Sequence, residues 1–183
     1  LAGQGANVVQ TRAVEVANKY KVPGRVLSSF NDGNGTLISL KDESMENALV
    51  SGIAFQKDQV KFTLHSVGDT PGTAFKILGP ISDAEIEVDV IVQNVSIDDK
   101  TDFTFTVSNE DKESVEKILT DLKTEVDYKE VIINSDIAKV SLVGAGMRSQ
   151  AGVASKAFKA LSENNVNIQI ICTSEIKITM VID

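Results

Sequence analysis

Lys61-Phe62-Thr63-Leu64 returns as Lys139-Val140-Ser141-Leu142, and the residues after each copy stay in step. Gly72 meets Gly152, Ala74 meets Ala154, Leu78 meets Phe158 and Ile81 meets Leu161, all at an offset of 80 residues. The same offset takes Ile86 to Val166, Val88 to Ile168 and Val90-Ile91 to Ile170-Ile171, and after a short gap Asp102-Phe103 meets Glu175-Ile176. An internal repeat of this length means one supersecondary unit used twice. In the first copy Val60, Phe62 and Leu64 alternate as a strand does. Ala74, Ile77, Leu78 and Ile81 recur at helical spacing, with Pro71 expected in the first turn. Residues 86–92 and 103–107 alternate again as strands. Val115, Ile118, Leu119 and Leu122 form a helix stripe over residues 114–125, and 131–133 is a short strand. The order βαββαβ is that of a ferredoxin-like α+β unit. The second copy runs to Asp183 through its third strand, without a second helix.

Upstream of the repeat, residues 11–20 carry Val14, Val16 and Ala17 as a short amphipathic helix, which Pro23 ends. Residues 25–30 and 36–40 are expected as strands around the Asn31-Asp32-Gly33-Asn34-Gly35 turn. Residues 41–44 are polar and linker-like, and 48–55 are expected as a strand.

The composition narrows the function. The chain has 183 residues, 42% of them hydrophobic and 24% charged, enough for a core and unlike a disordered chain. A net charge of −8 argues against nucleic-acid and anionic-membrane partners, which need clustered Lys and Arg. No apolar run approaches the roughly 20 residues of a membrane span. One cysteine, Cys172, and one histidine, His65, leave no internal disulfide and disfavour a Cys/His metal site. There is no signal peptide and Leu1 is no start methionine, so a cytoplasmic chain, as a fragment of a longer one, is expected. His65 is read as solvent-facing, with no role assigned. Cys172 is read as a core residue. No Ser-His-Asp or Cys-His constellation and no P-loop appears, which leaves a ligand-binding or interaction module.

Three loops carry the chemistry. Asp69-Thr70-Pro71-Gly72-Thr73-Ala74 joins a strand to a helix. There the open N–H groups of a helix start would take a carboxylate and Asp69 an ammonium, the two ends of an amino acid. The same residues also suit a plain helix cap with tight packing. Gln93-Asn94-Val95-Ser96 ends a strand with two side-chain amides, either for a zwitterion or for an Asx turn. Gly144-Ala145-Gly146-Met147-Arg148-Ser149 lacks the third glycine of a dinucleotide fingerprint and is read as the second copy of the first loop. Its companion Thr173-Ser174-Glu175 places an acid where a cationic side chain could bind, or simply ends a strand.

Several of these stretches resemble one family. Gln10-Thr11-Arg12-Ala13-Val14-Glu15, Val22-Pro23, Arg25-Val26, Ser28-Ser29-Phe30 and Gly35-Thr36-Leu37-Ile38 resemble the end of the amino-acid kinase domain of aspartate kinases (aspartokinases). Asp69-Thr70-Pro71-Gly72, Gln93-Asn94-Val95-Ser96, Thr101-Asp102-Phe103-Thr104-Phe105-Thr106, Lys139-Val140-Ser141-Leu142-Val143-Gly144, Val166-Asn167-Ile168 and Thr173-Ser174-Glu175-Ile176 resemble their regulatory half, a pair of ACT domains.

The resemblance implies a fold of two ferredoxin-like ACT units, the first inserted in the second. Residues 1–46 would be kinase-domain tail and linker, 61–135 the first ACT unit, and 47–60 with 136–183 the second. The implied activity is phosphorylation of aspartate by ATP, the first step towards lysine, threonine and methionine. ATP and Mg belong to the kinase domain. This chain alone would hold no cofactor and no catalytic residue, and would be inactive, like the separate β subunit of some relatives. Its ACT pair would bind end-product amino acids and inhibit the kinase. Threonine would lie on Asp69, Gly72, Thr73, Ala74, Gln93 and Asn94, completed by Asn167 and Ile168 of the partner subunit. Lysine would use Met147, Ser149, Gly152, Val153, Ala154, Ser174 and Glu175. The second loop departs from the pattern, with Ala151 where many relatives have Pro and no counterpart of Asp69. The implied partners are the effector, another copy of the chain, and the catalytic subunit or kinase domain. The alternative is a purely structural dimerisation module.

Overall fold

The computed structural model describes residues 8–38, 50–94, 98–144 and 152–183. They fall into two compact units: Lys57–Ala138, and the described residues up to Gln56 together with Lys139–Ile182. The fold is α+β, as the repeat indicated. The chain begins with α1 (Thr11–Lys19), which buries none of its residues, and a short antiparallel pair, β1 (Gly24–Val26) and β2 (Thr36–Ile38). Strand β3 (Gly52–Gln56) then precedes the first unit.

In the first unit the order is β4 (Gln59–Gly68), α2 (Thr73–Asp83), β5 (Ile91–Gln93), β6 (Lys100–Ser108), α3 (Lys112–Leu122) and β7 (Glu130–Asn134). The sheet runs β5-β6-β4-β7, with every pairing antiparallel. The alternation seen in sequence is the alternation of burial. Val60, Phe62 and Leu64 of β4 and Phe103, Phe105 and Val107 of β6 are at most 2% exposed. Phe62 and Phe105 stack with ring centres 5.5 Å apart. Thr73, Ile77 and Ile81 of α2 and Val115, Leu119 and Leu122 of α3 are the buried residues of their helices, at the spacing that keeps one stripe inward.

In the second unit β8 (Ala138–Val143), α4 (Val153–Glu163), β9 (Ile168–Thr173) and β10 (Lys177–Ile182) repeat the first four elements of that pattern. The fourth strand comes from upstream: β3 pairs antiparallel with β8, giving the order β3-β8-β10-β9. β3 thus takes the place that β7 has in the first unit. Ile53 lies opposite Leu142 and Phe55 opposite Val140, on the sheet face that packs under α4. Both stay more than 60% exposed, because α4 is the one helix over this sheet among the described residues.

Four local expectations are corrected. The strand over 25–30 is only Gly24–Val26, and Phe30 is 95% exposed. The helix starts at Thr73, not Pro71, because Gly72 is left-handed and interrupts the helical run. The strand over 86–92 is laddered only at Ile91–Gln93. Just before it the pairing with β6 is irregular: the Asp89 N–H donates to the Thr106 carbonyl and the Thr106 N–H to the Val90 carbonyl, both at 3.0 Å, while the Val90 N–H goes to the Thr106 hydroxyl at 3.2 Å. Cys172 is half-buried in β9, not core.

The repeat extends to the helix ends. Both α2 and α4 close in the Schellman pattern, in which a left-handed residue lets the chain's next N–H groups reach back. Glu85 (φ 59°) and Asn165 (φ 55°) are the left-handed residues. Ile86 and Val166 donate to Ile81 and Leu161 at 3.2 and 2.9 Å, and Glu85 and Asn165 to Ser82 and Ser162. Asn tolerates this conformation and Glu does not, at roughly 1 kcal/mol. Glu85→Gly should therefore raise stability by about 1 kcal/mol in urea unfolding, and Asn165→Gly by clearly less. Equal effects would contradict this reading.

Candidate functional site

The strand-to-helix corner of the first unit gathers its chemistry around Asp69. Gly72 caps α2 at φ 95°, and a Cβ there would meet nothing within 4 Å. Conformation and not space therefore demands glycine. Gly152 opens α4 in the same way at φ 99°. The Thr73 hydroxyl donates to the Gly68 carbonyl at 3.0 Å, and with its one proton so used it accepts from Thr70 at 3.1 Å. The Thr73 N–H is also engaged, by the Thr70 carbonyl. Thr73 is thus a buried tether, with no free polar group for a ligand. Among the described residues the N–H groups of Gly72, Ala74 and Phe75 find no backbone acceptor. They are open donors at the positive end of a helix.

Three residues before Gly72 stands a carboxylate. Asp69 Oδ1 accepts from Gln93 Nε2 at 3.2 Å, and its N–H donates to the Asp99 carbonyl at 3.0 Å. Gln93 ends β5 opposite Phe103, on the core side of the sheet. Asn94 is exposed, and the Thr101 hydroxyl holds its carbonyl at 2.7 Å. The fold therefore brings Asp69, Gln93 and the start of α2 together, across 24 residues of sequence. Asn167 is exposed just before β9, and Ile168 begins that strand in the other unit.

The second copy is built differently. Val153 is 6% exposed and belongs to the core under α4, so only its main chain is available to a ligand. Ser174 Oγ accepts the Lys177 N–H at 3.2 Å inside the β9–β10 turn, and Glu175 is exposed at its tip. Gly152 and Ala154 stand at the helix start. Met147 and Ser149 lie outside the described residues, as does Ser96.

One polar cluster was not foreseen. His65 Nδ1 lies 3.0 Å from Asp102 Oδ1, and the same oxygen accepts the Ser66 N–H at 3.0 Å. The Ser66 N–H is the main reason that the Asp102 carboxyl is held below its usual range; His65 adds to this and burial opposes it. The one signal in the sequence was a lone acid at a strand position otherwise filled by Thr and Phe.

Known proteins share both the repeat and the architecture. Family descriptions of the ACT domain match residues 64–127 and 140–183. The chain is 45% identical to a chain of the crystal structure of aspartokinase alpha and beta subunits, covering 73% of this chain and 88% of that one at a TM-score of 0.68. The chain belongs to the aspartokinase family. Its two ACT units are a regulatory region of that family. The ligand-free regulatory subunit of aspartate kinase from Thermus thermophilus is 33% identical at a TM-score of 0.70, over 74% of this chain and 89% of that one. The aspartate kinase of Pseudomonas fluorescens is 56% identical over the whole of this chain, which spans 45% of that relative's length. Among the described residues no helix is long and apolar enough to cross a membrane.

Because its pKa is depressed in the folded state, Asp102 stabilises above its unfolded value near 4 and loses that contribution as pH falls through the folded value. Asp102→Asn should flatten the fall of stability with pH, measured by urea unfolding from about pH 7 to about pH 3. His65 and, opposite it on β7, Glu130 are the other titratable groups at this point. An unchanged acid limb would contradict the assignment.

Proposed function

We propose that this region senses threonine for an aspartate kinase and transmits its binding as feedback inhibition. The observation that carries the reading is Asp69 held against Gln93 beside the open amides of Gly72, Ala74 and Phe75. An α-amino acid carries an ammonium and a carboxylate a few ångströms apart. Asp69 takes the ammonium, the α2 amides take the carboxylate, and Gln93 and Asn94 read the rest. Each charge-assisted hydrogen bond contributes about 1.5–3 kcal/mol. Asn167 and Ile168 of the partner subunit close the site when two copies pair. Lysine takes the second corner, at Gly152, Ala154 and Glu175. That site lacks a second Asp69, and the Ser174 hydroxyl is already engaged in its turn.

In the whole protein, residues 1–46 complete a kinase domain that binds ATP and Mg and phosphorylates aspartate, so this region by itself would not turn over. Support comes from α1, whose Val16 and neighbouring Tyr20 and Val22 are about half or more exposed, a surface suited to further packing. Inhibition works by population shift: threonine favours an inactive arrangement only by its differential affinity for it.

Isothermal calorimetry tests this. Threonine should bind saturably, near one site per chain. Asp69→Ala should weaken it at least about tenfold, or 1.4 kcal/mol. A folded, dimeric protein giving no heat with threonine or lysine would favour a purely structural dimerisation role instead.

A further inference from the structure

The corner that carries Asp69 is aimed by an irregularity in the strand before it. In the ladder between β4 and β6, Leu64 lies opposite Phe103 and Val67 opposite Thr101. Between them His65 and Ser66 together face the single residue Asp102. This is a β-bulge, which adds one residue to one strand and re-aims the side chains beyond it.

The effect is visible in burial. Before the bulge the even positions Phe62 and Leu64 are fully buried; after it the odd position Val67 is. Asp69, one residue past the end of β4 and exposed, continues on that side, as its contact with Gln93 indicates. Gln93 lies opposite Phe103 on that core side, which is why the Asp69 carboxylate reaches it. In a regular strand the alternation would send Gly68 to that side and Asp69 to the opposite face.

The bulge is costly by itself. Ser66 sits at φ 56°, a left-handed conformation that a serine resists. Its N–H, turned out of the ladder, is received by Asp102 Oδ1 at 3.0 Å, and His65 Nδ1 stands at 3.0 Å from the same oxygen. One carboxylate oxygen thus gathers both residues of the bulge. Beyond it, the Asp127 carbonyl takes the Gly68 N–H at 3.0 Å, and the Thr73 hydroxyl fixes the Gly68 carbonyl to the start of α2. In the second copy Gly144 stands at the place of Ser66 and gives its N–H to the Ile176 carbonyl at 2.9 Å, not to a carboxylate.

We propose that Asp102 is a positioning residue of the effector corner: by receiving the Ser66 N–H it holds the bulge that turns Asp69 towards Gln93 and the amides of α2. It touches no ligand and acts through Ser66. Its affinity readout rests on the threonine reading above; its structural readout does not.

Four variants of the whole chain test it, each measured by threonine calorimetry and by NMR of the Asp69 backbone amide and the Gln93 side-chain amide. Asp102→Ala should shift both resonances and weaken threonine at least about tenfold. Asp102→Asn keeps an oxygen acceptor for Ser66, and should hold both resonances and stay within about threefold. Should Asp102→Ala not fold, the Ser66 pair decides. Ser66→Gly suits the left-handed conformation and should match the wild type, whereas Ser66→Val resists it and should shift both resonances and weaken threonine. Unmoved Asp69 and Gln93 resonances in folded Asp102→Ala or Ser66→Val, or equal disturbance by Ala and Asn, overturn the proposal. If the wild type itself binds no threonine, the effector reading fails while the resonance comparison still decides the positioning claim.

Discussion

Each ACT unit enters its first helix through a left-handed glycine, and that constraint shapes the corner between strand and helix. Gly72 and Gly152, at φ 95° and 99°, meet it without steric cost. As at any helix start, no preceding turn supplies carbonyls, and in the first unit the N–H groups of Ala74 and Phe75 find no backbone acceptor among the described residues. The helix dipole then adds partial positive charge at the same point. A corner that the fold needs for packing is thereby also suited to an anionic group. In the first unit the corner also holds a carboxylate, Asp69, in contact with a side-chain amide, Gln93.

The two copies show how one scaffold separates fold from site. Their helices are both 11 residues long, begin after equivalent glycines, and end in equivalent Schellman turns. These features serve the core and are shared. At the places of Asp69 and Gln93 the second copy has Ser149 and Thr173 instead. The second copy has Gly144 where the first has Ser66, and its Ser174 hydroxyl closes a hairpin turn. Binding properties of the first corner therefore do not transfer to the second by symmetry.

Most of the fold was legible because periodicity reports burial directly. Phe62, Leu64, Phe103, Phe105 and the α3 stripe were all placed correctly by spacing. The same signal misled at residues 86–92, where apolar side chains alternate while the backbone forms a regular ladder with β6 only from Ile91 and pairs irregularly with Thr106 before it. Other features left no mark. Nothing in Glu85 announces a left-handed cap, since glycine is the usual sign. Nothing in His65-Ser66 announces a bulge, because its cause is the carboxylate of Asp102, 36 residues away from Ser66. The corner at Asp69 was visible locally as a strand-to-helix loop with an acid. The meeting of Asp69 with Gln93 depends on strand order, which local sequence does not state and which the family resemblance alone suggested.

Threonine recognition by the α2 amides and Asp69 is tested most directly by a threonine titration of the isotope-labelled chain, tracked residue by residue in NMR spectra. Saturable shifts are expected at the amides of Gly72, Ala74 and Phe75 and at the Gln93 and Asn94 side chains, with the distant end of α3 unmoved. Saturable shifts centred elsewhere, or none at a concentration where calorimetry detects binding, would contradict recognition at this corner.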